Sequence, residues 1–321
     1  MTTSEIEAEN IHCPLCGKQE ERVLLTGRDR LHGIEGEFSL VQCRQCELIY
    51  LNPQPTLATL SRYYPEDRYG PHLRRNRKRN ASHKPIGYRL KRLWIRAISR
   101  FLPLDRETRL LDVGCGNGAF LYALKESRGA KGTGVEFSSQ PAAYCHKQLG
   151  LDVRSGTLLD QEFSNRSFDV VTMFQYFEHE IHPARVLRET KRILKEDGLL
   201  VMVLPNVGSL LFKLFKGYWL HLDVPRHVVN YSPQTLKEML QRGGFKVIAL
   251  THLPIALIFP SLSHLLGITK YLCNLPPSLF VIALCCLYLP FWPVDLICGI
   301  GLRFLGASDM MAVYAKPVRH P

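Results

Sequence analysis

At 321 residues the chain has room for one full α/β domain with smaller additions and a sizeable core. Its polar, acidic opening, Met1 to Asn10, is unlike the basic-then-apolar pattern of a secretory leader, and synthesis and folding in the cytoplasm are expected. The formal net charge of +12 is uneven, because Arg74 to Arg100 holds eleven Lys or Arg and no acidic residue while the remainder is close to neutral.

In chain order the first signal is a pair of Cys-x-x-Cys motifs, Cys13/Cys16 and Cys43/Cys46, separated by 26 residues. Each two-residue spacing lets a tight turn present two sulfurs to one ion, and four thiolates complete the tetrahedron that Zn2+ prefers. Iron also fits this spacing, and two disulfides are the alternative outside a reducing compartment. A zinc ribbon over residues 1–55 is predicted. It has too small an apolar core to hold itself together, and metal binding of roughly 10 to 16 kcal/mol can supply the folding energy. With all four positions filled by protein, such a metal is structural.

Residues 56–105 read as a basic, amphipathic helical linker. Leu90, Leu93, Trp94, Ala97, Ile98 and Phe101 recur at helical spacing, with Lys and Arg between them. That composition fits an anionic membrane surface. It equally fits a helix that packs its oily face on the neighbouring domain and solvates its charges.

Next comes a short apolar strand, Arg109 to Val113, running into Gly114, Gly116 and Gly118 and then a helix over 119–127. Without Cβ these positions can take positive φ and let a ligand lie against bare backbone, beside the unpaired N–H groups of the helix start. A second strand over 132–136 ends in Glu136, whose carboxylate can accept from ribose hydroxyls. Further alternation follows: a helix over 139–149, strands over 168–174 and at the end of 194–205, and a helix opened by Ser232-Pro233. Strand 245–252 and a final strand over 309–315 complete the pattern of a largely parallel sheet with crossover helices.

The glycine loop is Gly-x-Gly-x-Gly with Asp112 two residues ahead, not the Gly-x-Gly-x-x-Gly of dinucleotide binders. It resembles motif I of class I S-adenosylmethionine-dependent methyltransferases. Phe168 to Phe174 resembles the fourth strand of that family, Gln175 to His179 the segment after it, and Leu194 to Pro205 the fifth strand with its turn. The ribbon, Leu48 to Pro53 and Tyr63-Tyr64-Pro65 resemble the lead-in of a bacterial group with an amino-terminal zinc ribbon, associated with glycan, lipid or secondary-metabolite pathways. The resemblance implies an α/β, Rossmann-like seven-stranded sheet whose last strand is antiparallel, over 106–252 plus 307–321. It implies S-adenosylmethionine held by Asp112, Gly114, Cys115, Gly116, Asn117, Gly118, Glu136, Phe137, Thr157, Leu158 and Gln175. Many relatives carry an acid after the third strand for the adenine amino group. This chain offers Thr157, whose hydroxyl accepts more weakly.

Residues 253–306 are unlike a methyltransferase core. From Leu272 to Leu302 the only charge is Asp295, and Pro290 and Pro293 separate two predicted helices, 278–289 and 294–305. Each is too short to span a bilayer. A deep hairpin would place Asp295 in hydrocarbon at roughly 2.5 to 3.5 kcal/mol. The in-plane arrangement, with Asp295 capping a helix start and Tyr288, Phe291 and Trp292 at headgroup depth, is therefore favoured. A homodimer interface or a lid is the other reading of this stretch. Taken with the basic helix, it predicts peripheral or monotopic attachment to the inner face of the cell membrane, and a small-molecule, sugar or lipid-linked acceptor.

In-line alignment of a nucleophile with the sulfonium methyl is the main requirement, and a hydroxyl acceptor also benefits from a base. His227 is the first candidate, then His179, with Glu178 beside it; hydrogen-bonded structural histidines are the bland alternative. The segment His221 to Tyr231 resembles a family loop over the acceptor side of the cofactor. His221, Arg226 and Tyr231 are its candidate substrate contacts, Arg226 for a phosphate or carboxylate or as an ordinary ion pair. The rival function is an RNA methyltransferase using ribbon and basic tract. The chain lacks an Asn/Asp-Pro-Pro-aromatic motif after the fourth strand and any Pro-Cys nucleophile. Nucleic acid is accordingly disfavoured as a partner.

Overall fold

The computed structural model describes residues 6–64, 84–85, 87–273, 275, 283 and 288–318. Seven strands form the central sheet: β1 (Arg109–Val113), β2 (Lys131–Glu136), β3 (Asp152–Ser155), β4 (Phe168–Phe174), β5 (Leu194–Pro205), β6 (Phe245–His252) and β7 (Met310–Pro317). They lie in the order 6-7-5-4-1-2-3, and β7 alone runs antiparallel, pairing with both β5 and β6. The middle strands are near-continuous apolar runs because helices cover both faces. From Gly198 to Pro205, β5 is buried at every position, and β1 exposes only Arg109.

Local chemistry explains the crossover helices. Helix Ala119–Arg128 turns Phe120, Leu121, Ala123 and Leu124 inward and ends at Gly129, whose φ of 65° suits a residue without Cβ. Helix Pro233–Arg242 begins as its sequence predicts, with the Thr235 amide donating to Ser232 Oγ at 3.2 Å. On either side of β1 and β4 the chain leaves the sheet in opposite directions. The crevice at their carboxyl ends is where open α/β sheets bind ligands.

The amino-terminal region is not a separate bead. Strands Glu21–Gly27, Phe38–Cys43 and Ile49–Leu51 form an antiparallel sheet, and its fourth member is Val229–Asn230, from the predicted acceptor loop. Val229 pairs with Tyr50 and Asn230 with Ile49. The residues from Cys13 and Leu40 through Tyr50 share one apolar core with Val171, Met202 and Trp219.

Helix Tyr88–Ile98 divides its apolar residues between the two expected roles. Ile95 and Ile98 are buried and Trp94 packs beside them, whereas Leu90 and Leu93 are 71% and 60% exposed. The run from Arg74 to Lys78 that gives the linker much of its charge lies outside the described residues, as does Pro65.

Between β6 and β7 stand helices Ile258–Leu265, Ile268–Cys273 and Trp292–Phe304. The helix expected over 278–289 falls almost wholly outside the described residues. Asp295 lies in the first turn of its helix, as expected, and its carboxylate also accepts from the Ile258 amide at 3.3 Å, closing the start of the neighbouring helix. Buried Asp309 ties the insertion to the core, accepting from the Leu257 amide at 2.9 Å and Trp219 Nε1 at 3.0 Å. Among the described residues no helix is long and apolar enough to cross a membrane. The outer face of Trp292–Phe304 is nevertheless apolar and open, with Ile297 69% and Phe304 84% exposed.

Candidate active site

Because β1 and β2 are parallel and paired with Asp112 opposite Gly134, Asp112 and Glu136 both reach the carboxyl edge of the sheet. Gly114, Gly116 and Gly118 all have positive φ, 73°, 53° and 71°. Two of them are glycine for different reasons. A Cβ on Gly118 would stand 2.8 Å from Cys145 Sγ, so this position lets the loop sit on the helix beneath, while a Cβ on Gly116 would meet nothing within 4 Å and faces open space. The Gly116 and Ser138 amides donate to the two oxygens of Glu136 at 2.8 and 3.1 Å. Burial raises the Glu136 carboxyl above its ordinary range against those two bonds.

Asp112 is fully buried and accepts from Thr172 Oγ1, on β4, at 2.6 Å. Burial pushes its carboxyl up to about 7, opposed by that hydrogen bond. The other expected cofactor residues differ in what they present. Phe137 is 52% exposed at the rim, free to stack on a flat ligand. Cys115 turns its thiol inward toward Gly134, and Leu158 is wholly buried, which leaves only backbone to face the crevice. Asn117 accepts from the Ala119 amide, Thr157 donates its hydroxyl to Asp160 at 2.8 Å, and Gln175, exposed with φ 53°, donates its amide to Val203.

The turn after β4, Phe177–His179, brings the catalytic candidates together. One ligand atom from each of Glu178, His179 and His227 lies within 4.8 Å of the others. The two imidazoles meet edge to face with centroids 4.6 Å apart. His179 Nδ1 lies 3.0 Å from the Arg226 carbonyl and 2.7 Å from Tyr64 Oη, and His227 Nδ1 lies 2.7 Å from the His221 carbonyl. A carbonyl can only accept, so each Nδ1 carries the proton and each Nε2 keeps its lone pair. Burial drives both imidazoles toward the neutral form, His179 down to about 3. Burial likewise pushes the Glu178 carboxyl up to about 8.

Arg226, expected to meet a phosphate or carboxylate, instead binds within the protein. It is fully buried, donates through Nε to both oxygens of Asp223 at 3.0 Å, and through its terminal nitrogens to Asp29 at 2.8 Å and the Tyr63 carbonyl at 2.9 Å. A guanidinium with four of its five N–H groups engaged inside the protein holds the loop in place of meeting an acceptor group. Tyr231 is also inside, stacked on Phe177 at 5.2 Å, and its hydroxyl has no partner. His221 is half-buried and its Nε2 is likewise unpartnered.

Asp29, Asp223 and Thr172 were not among the expected site residues. Asp223 carries a signal, since it precedes Arg226 and His227 by three and four residues. Asp29 carries none, being 197 positions from Arg226.

In the ribbon, Cys13 and Cys46 bring their sulfurs to 3.5 Å, as do Cys16 and Cys43, and all four lie within 4.8 Å of one another. Thiolates at tetrahedral corners around Zn2+, with bonds of about 2.3 Å, stand about 3.8 Å apart, so this donor set fits the ion.

A family model described as a methyltransferase domain matches residues 86–250. The ubiquinone biosynthesis O-methyltransferase of Actinobacillus pleuropneumoniae is 28% identical over 140 residues, which cover 40% of this chain and 57% of that protein. The chain thus spans little more than half of that relative. The enzyme of the same name from Nitrosomonas europaea is 24% identical over 198 residues, covering 56% and 82%. A solved Galdieria sulphuraria structure, provisionally described as a sarcosine dimethylglycine methyltransferase, superposes with a TM-score of 0.50 at 16% identity, covering 72% of this chain and 86% of that one. That likeness is one of fold.

Proposed function

Because this chain belongs to the methyltransferase-domain family, as a class I S-adenosylmethionine-dependent enzyme, we propose that it methylates a hydroxyl of a small, apolar or lipid-linked acceptor at a membrane surface. The observation carrying this reading is the placement of two sets of groups at one sheet edge. Asp112, Glu136 and the open glycine loop end β1 and β2, and the Glu178, His179 and His227 cluster follows the adjacent β4. Bound S-adenosylmethionine supplies a methyl already activated as a sulfonium. Glu136 is placed to accept from ribose hydroxyls, Phe137 to cover a base, and Asp112 to stabilise positive charge. The imidazole cluster activates the acceptor hydroxyl inside a site from which water is excluded.

The direct test is turnover of lipid or glycan extracts from a strain lacking the gene, followed as a gain of one methyl by mass. His227→Ala should lower kcat by about 10²- to 10⁴-fold with donor affinity unchanged, whereas Glu136→Ala should weaken donor binding measured by calorimetry. Full turnover by His227→Ala would remove that residue from the chemistry.

Donor binding should also depend on pH through Asp112. Its carboxyl titrates at about 7, and a cationic ligand selects the ionised form. Affinity therefore falls as pH drops below that value, by about tenfold between pH 8 and pH 6. Asp112→Asn should bind more weakly and lose that part of the slope, and an unchanged slope would refute the assignment.

Ribbon and insertion complete the reading. Cys13, Cys16, Cys43 and Cys46 hold a structural Zn2+. The open apolar face of Trp292–Phe304, with exposed Leu90 and Leu93, rests on an anionic membrane. The chain should co-sediment with vesicles containing anionic lipid, and Ile297→Glu with Phe304→Glu should release it. A stable dimer in solution that the same two changes dissociate would assign this face to a second copy.

A further inference from the structure

The acceptor-side cluster has the features of a second metal centre. We infer that Glu178, His179 and His227 bind a divalent cation of the Zn2+ or Fe2+ type, separate from the ion of the four cysteines and leaving coordination positions open toward the acceptor. The inference deepens the activity proposed above and rests on it.

Three observations converge on it. The first is distance: a ligand atom from each of the three residues falls within 4.8 Å of the others, and small side-chain rotations bring such a set to the spacing of about 3.4 Å that tetrahedral bonds of about 2.1 Å require. The second is the fixed tautomer. Metal-binding histidines characteristically donate the other ring N–H to a carbonyl or carboxylate, which orients the ring and raises its basicity. His227 does so toward the His221 carbonyl, and His179 toward the Arg226 carbonyl with Tyr64 Oη as a second partner of the same nitrogen, which leaves Nε2 of each ring free to ligate. The third is the carboxyl group. Glu178 is 2% exposed and neither of its oxygens has a hydrogen-bond partner, an arrangement costly in a buried acid until something cationic or protic meets it. Asp223 Oδ2, 4.0 Å from His227 Nε2, adds negative charge at the edge of the cluster, and its other partner is Arg226.

Mixed imidazole and carboxylate donors with a vacant position suit a cation that polarises a bound oxygen. With a cation present, Glu178, His179 and His227 would hold it, and it would lower the pKa of an entering acceptor hydroxyl, whose proton would leave with the water that acceptor binding displaces. The sugar, phenol or alcohol expected as acceptor has oxygens suited to that role.

Metal content tests the inference without measuring turnover. Full-length protein is incubated with excess Zn2+, desalted and analysed for zinc per chain, with donor binding by calorimetry as the check on folding. The ratio should be about two for the unaltered chain and about one for Glu178→Gln and His227→Asn, the cysteine site being retained. A ratio of one in the unaltered chain overturns the proposal, as does a ratio of two in folded variants. Should the variants fail to fold, stepwise loading of the unaltered chain with Co2+ decides. One equivalent should give thiolate charge-transfer absorption and a second only weak visible bands, whereas saturation after the thiolate-bound equivalent overturns it. Loss of the proposed O-methyl transfer would leave these ratios untouched, so the two claims fail separately.

Discussion

Cys43→Ser should abolish Zn2+ binding at the four cysteines and, with it, unsettle the proposed acceptor loop that pairs with the ribbon. The side chain is 1% exposed, and its sulfur stands 3.5 Å from that of Cys16. Structural Zn2+ contributes roughly 10 to 16 kcal/mol in small ribbons, as much as the whole net stability of about 5 to 15 kcal/mol typical of a domain. The damage should travel along defined bonds. Ile49–Leu51 pairs with Val229–Asn230, the Leu51 amide donates to Val228, and Asp29 holds Arg226. Hydrogen exchange should accelerate at Val228 to Asn230 as well as in the ribbon. Acceptor turnover should fall below detection, while donor binding, built on β1 and β2, weakens far less. Unchanged protection of Val229 and Asn230 in the zinc-free variant would show that the pairing stands without metal.

The parts of this molecule legible from sequence are those governed by short-range rules. β1, β4 and the helix after Ser232 appear where apolar runs, glycines and a capping serine put them. The four cysteines converge as their spacing demands. Arg226 was harder because its partners are set by the tertiary fold. A lone arginine among histidines reads as a ligand contact until Asp29 is known to stand beside it. Asp295 shows the same difficulty on a smaller scale. Its place in the first turn of a helix was legible, but its bond to the Ile258 amide of a second helix was not, since it depends on how the two helices pack. The division of helix Tyr88–Ile98 into buried Ile95 and exposed Leu90 was also hidden, since periodicity reports an apolar stripe without saying how much of it a neighbour covers.

The second large effect belongs to that buried arginine. Arg226→Met should lower stability by about 3 to 5 kcal/mol, because Asp29 and Asp223 are then left inside without a cation. At about 2 to 4 °C per kcal/mol for a chain of this size, the melting temperature should fall by roughly 10 °C. Burial alone would raise the Asp223 carboxyl, and Arg226 is the main group holding it well below the usual range. With the arginine gone, Asp223 should take up a proton near neutral pH, and the variant should become more stable relative to wild type as pH falls. A surface pair such as Arg242 and Glu238 would show none of this and would respond mainly to salt. Removing the charges together separates a cost of unpaired burial from a loss of attraction. Asp29→Asn with Asp223→Asn in the Arg226→Met background keeps the one oxygen of residue 29 that accepts from the Leu31 and His32 amides, loses the acceptor of the Ile34 amide, and should still recover much of the stability. Failure to recover would mean that the network contributes attraction which neutral side chains cannot replace, and that the position of the acceptor loop depends on charge itself.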